Sequence, residues 1–138
     1  MSYELREHTA DVAVAATGES REALFGALAD GLSAASLEEW PKIGDRESLS
    51  VSAESERALL FEYLDELIYR RDVLEALPVD NRVTLLREDD GEWTLEASAR
   101  WIPADRVNAR EIKAVTYSEM TLAQVDDGSW EAYVVFDV

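Results

Sequence analysis

The segment Trp93-Thr94-Leu95-Glu96-Ala97-Ser98-Ala99-Arg100-Trp101 alternates apolar and polar residues without a break. Successive side chains of a strand point to opposite sides of a sheet, so this pattern demands a strand with one buried face. Val83 and Leu85 lead into Asp89-Asp90-Gly91 just before it, a hairpin signal joining two such strands. A second signal, Asp126-Asp127-Gly128, links the strand-like segment 114–125 to alternating Trp130, Ala132, Val134 and Phe136. The back half of the chain is therefore committed to hairpins, with a loop expected around Pro103.

The front half carries both periods. Tyr3 and Leu5, then Val12, Val14 and Ala16, alternate with their neighbours as strands do. Gly18-Glu19-Ser20 ends that pattern and offers Ser20 as a helix N-cap. Ala23, Leu24, Ala27, Leu28, Leu32 and Ala35 then form a helical stripe that Trp40-Pro41 closes. Leu49 to Ala53 reads as a strand. Ser55 caps a second helix, whose Leu59, Leu60, Tyr63, Leu64, Leu67 and Ile68 share one face, opposite a solvated face of Glu62, Asp65, Glu66 and Arg70. The spacing predicts an α+β fold: one two-layer domain over residues 1–138, with two amphipathic helices packed on a largely antiparallel or mixed β-sheet. A length of 138 residues suffices for a single core, and three prolines are too few for a linker.

Charge narrows the function classes. Thirty acidic residues against 13 basic ones give −17, and only Lys42 and Lys113 are lysines. An acidic, lysine-poor, alanine-rich chain suits a halophilic cytoplasm of molar salt, where the Debye length falls to about 3 Å and self-repulsion is screened. The rival reading is a mimic of nucleic acid, or a protein that docks on a basic partner. Either way, direct high-affinity nucleic-acid binding is not expected, since phosphate capture needs clustered cations and Arg70-Arg71 is the only basic pair. No apolar run approaches the roughly 18 residues of a membrane span. No signal peptide is visible, and there is no cysteine; the expected location is cytoplasmic, without thiol or disulfide chemistry.

Two aspartates stand in apolar strand sequence near opposite ends, Asp11 in Ala10-Asp11-Val12 and Asp137 in Val135-Phe136-Asp137-Val138. An unpaired buried carboxylate is costly, so such a pair invites a shared hard cation, Ca²⁺, Mg²⁺ or Mn²⁺. The carboxylate of Val138 arrives beside Asp137. The plainer reading makes each aspartate a strand-end cap or an ion-pair partner. His8 beside Thr9 is a candidate ligand or base, with a hydrogen-bonded structural role as the alternative. Lys113, at the mouth of a strand, suggests a need for a compact ammonium; chance survival is the rival. With one histidine and no cysteine there is no nucleophilic triad. The six glycines read as turn residues, not as a phosphate loop. Trp93, Trp101 and Trp130 read as packing residues.

Four blocks, His8-Thr9-Ala10-Asp11-Val12, Leu59 through Tyr69, Glu111-Ile112-Lys113-Ala114-Val115-Thr116-Tyr117 and Val135-Phe136-Asp137-Val138, together resemble the archease family in its own order. That resemblance implies an accessory protein, not an enzyme: a cofactor of RtcB-family RNA ligases in tRNA splicing. It would promote ligase guanylylation and turnover and broaden nucleotide triphosphate use. It also implies a metal site, usually assigned to Ca²⁺, at Asp11, Asp137 and Val138, with Lys113 and His8 in support. The alternatives are a chaperone-like modulator of a tRNA cytosine-5 methyltransferase and a stand-alone metal-dependent hydrolase. Ser118 and the region of Asn108 depart from the family's pattern, where histidines are common, so no imidazole role carries over there.

Overall fold

A computed structural model describes residues 2–8, 11–34, 44–103 and 112–137, leaving out the side chains of residues 2, 5–8 and 11. Its elements run β1 (Ser2–His8), β2 (Asp11–Gly18), α1 (Arg21–Ala34), β3 (Asp45–Ala53), α2 (Glu56–Leu74), β4 (Ala76–Asp89), β5 (Glu92–Pro103), β6 (Ala114–Gln124) and β7 (Trp130–Asp137). This is the α+β arrangement that the alternation predicts, two helices on antiparallel strands. Among the described residues the strands divide into two sheets, one ordered β1-β2-β7-β6 and one β3-β5-β4. Pro103 closes β5 instead of lying in a loop. The expected helix end at Trp40-Pro41 lies outside the described residues.

The local signals act as their chemistry dictates. Asp89 pairs with Glu92, so Asp90 and Gly91 alone make the turn, at φ of 51° and 83°. Two successive positive φ values give the type I′ turn, whose twist matches that of the strands. The Ser20 and Ser55 hydroxyls each accept a backbone N–H three residues on, from Ala23 and Ala58, both at 3.1 Å. These caps satisfy N–H groups that a first helical turn leaves free. Along α2, Leu59, Leu60, Tyr63, Leu64, Leu67 and Ile68 are buried, while Glu62 and Asp65 stay exposed.

α1 departs from the expected one-sided stripe. All ten residues from Leu24 to Ser33 are buried, because the helix lies between β2 on one side and the backbone of β4 on the other. Two glycines permit this, and they lie within the helix, not at turns. A Cβ on Gly31 would stand 2.5 Å from Val14 Cγ1, and one on Gly26 would stand 3.2 Å from the Asn81 carbonyl oxygen. Glycine costs a helix interior about 1 kcal/mol relative to alanine, which close packing here offsets.

The contact with β4 is polar and buried. β4 shifts register between Val79 and Arg82, and Asp80 there takes φ of 49°. This bulge turns Asn81 towards α1, where its backbone N–H and its side-chain amide both donate to Asp30 Oδ1 at 2.9 Å. The Ser33 hydroxyl donates to the Pro78 carbonyl, and Asn81 Nδ2 donates to the same carbonyl at 3.2 Å. Asp30 is only 8% exposed. Burial pushes its carboxyl up, the two bonds from Asn81 pull it down, and the charge of Asp80 adds to the rise. The Tyr63 hydroxyl, fully buried and without a hydrogen-bond partner among the described residues, is pushed up by burial and then by Asp30.

Arg21 joins the two halves. It opens α1 and pairs at 3.0 Å with Glu56, which opens α2. Its guanidinium lies 4.3 Å from the Trp130 ring centroid and 5.3 Å from that of Trp93. One cation thus touches both helices and a strand of each sheet. Trp93 and Trp130 are half-buried against the core that contains Trp101, so these tryptophans are packing residues. No helix among the described residues is long and apolar enough to cross a membrane.

Two predictions follow from these contacts. Asp30 has a native pKa above its unfolded value, so its ionisation opposes folding. That penalty is absent below the ordinary aspartate pKa near 3.9, grows as pH rises through the native value and is constant above it. Asp30→Asn, whose carbonyl can still accept from Asn81, should raise the melting temperature at neutral pH. The gain should vanish as pH falls to about 4; a gain independent of pH would contradict this account. Arg21→Lys keeps the charge but loses the guanidinium that approaches both indoles, and should lower unfolding free energy by about 1 kcal/mol in a denaturant titration.

Candidate functional site

The first and last described strands of one sheet meet through their neighbours at a single transverse row. β2 and β7, central in that sheet, pair so that Asp11 lies directly opposite Asp137. On one flank His8 of β1 is the register partner of Asp11. On the other, Ala114 of β6 is the register partner of Asp137. Residues separated by 126 positions in the chain thus become cross-strand neighbours, through pairing that continues to Gly18 opposite Trp130. The hydrophobic pattern sets this register: Val14 and Ala16 face Val134 and Ala132, all buried in the core on the α1 side. A slip of one residue would put those side chains on the wrong face.

Phe136 is fully buried, whereas Asp137 after it is exposed, as the alternation predicts. The next row inward on the Asp137 face, Ala13 opposite Val135, is 0% and 2% exposed. The aspartate row therefore stands at the solvent end beside an apolar layer, where charge interactions are less screened than in open water.

Lys113 joins this row through its backbone. Its N–H donates to the Asp137 carbonyl at 2.8 Å, and its side chain is exposed. The chain entering β6 is also held from α2: Arg71, buried in the last turn, reaches the Ile112 carbonyl with a long 3.4 Å bond, and Ile112 is fully buried. Arg71 was not singled out by sequence reasoning, although the signal was present. It continues the buried spacing of Leu64, Leu67 and Ile68, so an arginine there must lie inside and find carbonyl partners.

The structure thus brings His8, Asp11, Asp137 and Lys113 together at the level of backbone register. The side chains of His8 and Asp11, and the whole of Val138, Lys42, Asn108 and Glu111, lie outside the described residues. Ser118 is exposed in β6, within the stretch between Thr116 and Thr121 where pairing with β7 is interrupted. By residue type, two aspartates in register offer carboxylate oxygens of the kind that suits a hard divalent cation, and a histidine would add a nitrogen donor.

Comparison with known proteins places the chain in a family. The family model described as the Archease protein family matches residues 3–138. The chain is 36% identical to protein archease of Methanosarcina mazei, covering 99% of this chain and 95% of that one. It is 30% identical to protein archease of Pyrococcus furiosus, covering 99% and 98%. Among solved structures, the solution structure of Methanobacterium thermoautotrophicum protein 1598 superposes with a TM-score of 0.82 at 23% identity, covering 99% of this chain and 98% of that one. A Thermotoga maritima crystal structure, described as an archease and possible chaperone, does so at 0.62 and 21%, covering 96% and 94%. Sequence identity over the full length and shared fold lead to one conclusion: the chain belongs to the archease family.

Proposed function

We propose that this protein is an accessory factor of an RtcB-family RNA ligase, promoting guanylylation and turnover of the ligase through a divalent cation held at the Asp11–Asp137 row. The observation that carries the reading is the register that makes Asp11 and Asp137 direct cross-strand partners. Directly opposed residues of an antiparallel pair have Cβ atoms about 4.5–5.5 Å apart on one face, a spacing that lets one cation take oxygens from two carboxylates. Asp11, Asp137 and Val138 would hold the ion, with Ca²⁺ favoured by family resemblance and Mg²⁺ or Mn²⁺ suited by the same donors. When bound, the ion supplies positive charge for the phosphates of a nucleotide in the ligase's active site. The backbone bond from Lys113 to Asp137 fixes the strand end that bears the carboxylate, and the exposed ammonium of Lys113 can meet a phosphate. His8, as register partner of Asp11, supports that end of the row.

A second reading is supported by a different observation. Tyr69, Val73, Leu74 and Tyr117 are 45–62% exposed, and Tyr117 stacks on Phe61 at 4.2 Å with the rings 5° from parallel. Exposed apolar groups suit chaperone-like contact with a client such as a tRNA methyltransferase, in keeping with the description of the Thermotoga maritima structure.

Asp137→Ala separates the two. The side chain is exposed and lies off the core face, so the variant should fold with little change in stability. It should lose at least tenfold in stimulation of nucleotide transfer to the ligase, and a chelator should impose the same loss on the wild type. Undiminished stimulation by the variant rules out the ligase mechanism. Suppression of methyltransferase aggregation that is indifferent to Asp137 would favour the chaperone reading, and turnover of phosphoesters without any ligase would reveal a hydrolase.

A further inference from the structure

Helix α2 carries a second apolar row, on the side away from the core. Leu60, within the buried stripe, is fully buried. Tyr69 follows it by about two and a half turns, which brings Tyr69 to the opposite side of the helix. Val73 comes one turn later and Leu74 stands beside it. Tyr69 and Val73 are each 62% exposed and Leu74 is 45% exposed. Among the described residues Tyr3 and Tyr117 are the other large hydrophobic side chains left open, so three of five lie in the last six residues of one helix. The solvent side of an amphipathic helix ordinarily takes polar residues, and a cluster of exposed apolar groups there marks a contact surface.

The charges around this row are mostly acidic. Glu62, Asp65, Asp72 and Glu75 are exposed. Glu66 pairs at 3.0 Å with Arg70, whose guanidinium also donates to the Ser48 carbonyl at 3.2 Å. Arg71, the basic residue of the last turn, is buried and turned onto the Ile112 carbonyl. Set against Arg70, Arg71 and the exposed Lys113 just beyond Ile112, the five acids remain in excess. The last carbonyls of a helix carry partial negative charge, so Asp72 in the last turn and Glu75 at the C-cap add to a field that a cation relieves. A second copy of this chain would bring the same acids to the contact and be repelled, as would an anionic lipid or nucleic-acid surface.

We propose that the outer face of α2 from Glu62 to Glu75 is a docking ridge for a basic amphipathic helix of a partner protein. The partner's apolar stripe would lie on Tyr69, Val73 and Leu74, and flanking Lys or Arg would meet the acids. Side chains one turn apart form the row that packs into the groove of a facing helix, and the ridge runs about 20 Å at helical rise. Its C-terminal end is joined to the aspartate row through Arg71, the Ile112 carbonyl and the bond from Lys113 to Asp137. Docking on the ridge therefore sets that row against the same partner. The inference rests on the accessory-factor reading, in that a protein partner must exist.

Two synthetic helical peptides serve as probes, one with a leucine stripe flanked by Lys and Arg, the other with the same stripe flanked by Glu. Each is titrated into the whole protein and followed by amide NMR shifts. The basic peptide should shift residues 62–75 and bind about tenfold tighter than the acidic one at low salt. Tyr69→Ser with Val73→Ser should keep the fold, as the spectrum itself reports, and weaken the basic peptide about tenfold. Asp72→Asn with Glu75→Gln should weaken it about fivefold and flatten its salt dependence. With the ligase, the serine pair should raise the concentration for half-maximal stimulation about fivefold and leave the maximum unchanged. Shifts scattered over the acidic surface, a peptide affinity indifferent to the serine pair, or an unchanged half-maximal concentration would each overturn the proposal. Self-association of the wild type that the serine pair abolishes would assign the ridge to a second copy and overturn it too. Asp137→Ala acts on the maximum instead, so its failure discards the ligase reading while the peptides still judge the ridge.

Discussion

The pairing of β2 with β7 is the constraint on which the rest depends. These strands are the two central ones of their sheet, and their inner residues form the floor on which α1 lies. The same eight register pairs carry Asp11 to Asp137. Core packing and site assembly are therefore one event. The core fixes the register because a one-residue slip would turn Val14, Val134 and Phe136 out of the cluster around α1 together. The register in turn fixes which polar residues share a row at the strand ends. A carboxylate pair placed in this way needs no dedicated loop.

Burial of α1 is the second organising fact. A helix covered on both sides has no solvent face for its polar groups, so Asp30 and Ser33 find partners on the β4 backbone. The β4 bulge serves both surfaces of its sheet: Asn81 satisfies Asp30 inside, and Asp80 gathers arginines outside. A bulge commonly re-aims side chains in this way. Arg21 does for the opposite end of the molecule what the Asp30–Asn81 bridge does here, tying helix starts to strands of both sheets through one guanidinium.

Much of this was legible in the sequence, and for local reasons. Alternation gave strands, Asp-Gly gave turns, and serines before apolar stripes gave caps, each a signal contained within about ten residues. The aspartates stood out because they interrupt apolar strand sequence, and the register brings them opposite each other. What escaped notice was nonlocal. The division into two sheets depends on which strands pair. The complete burial of α1 depends on β4 arriving over Gly26. Asp80-Asn81 carries no local signal of the bulge within a long strand that turns its two side chains to opposite faces. Arg71 is legible in principle from its place on the buried stripe, but its carbonyl partner at Ile112 lies 41 residues away and is visible only in the fold.

The central claim is that the β2–β7 register builds a divalent-cation site from the two ends of the chain. Calorimetric titration of the metal-free protein with Ca²⁺ tests it most directly. The account predicts one site per chain, abolished in Asp11→Asn and in Asp137→Asn with the fold retained. No binding by the wild type, or binding that survives both substitutions, would contradict it.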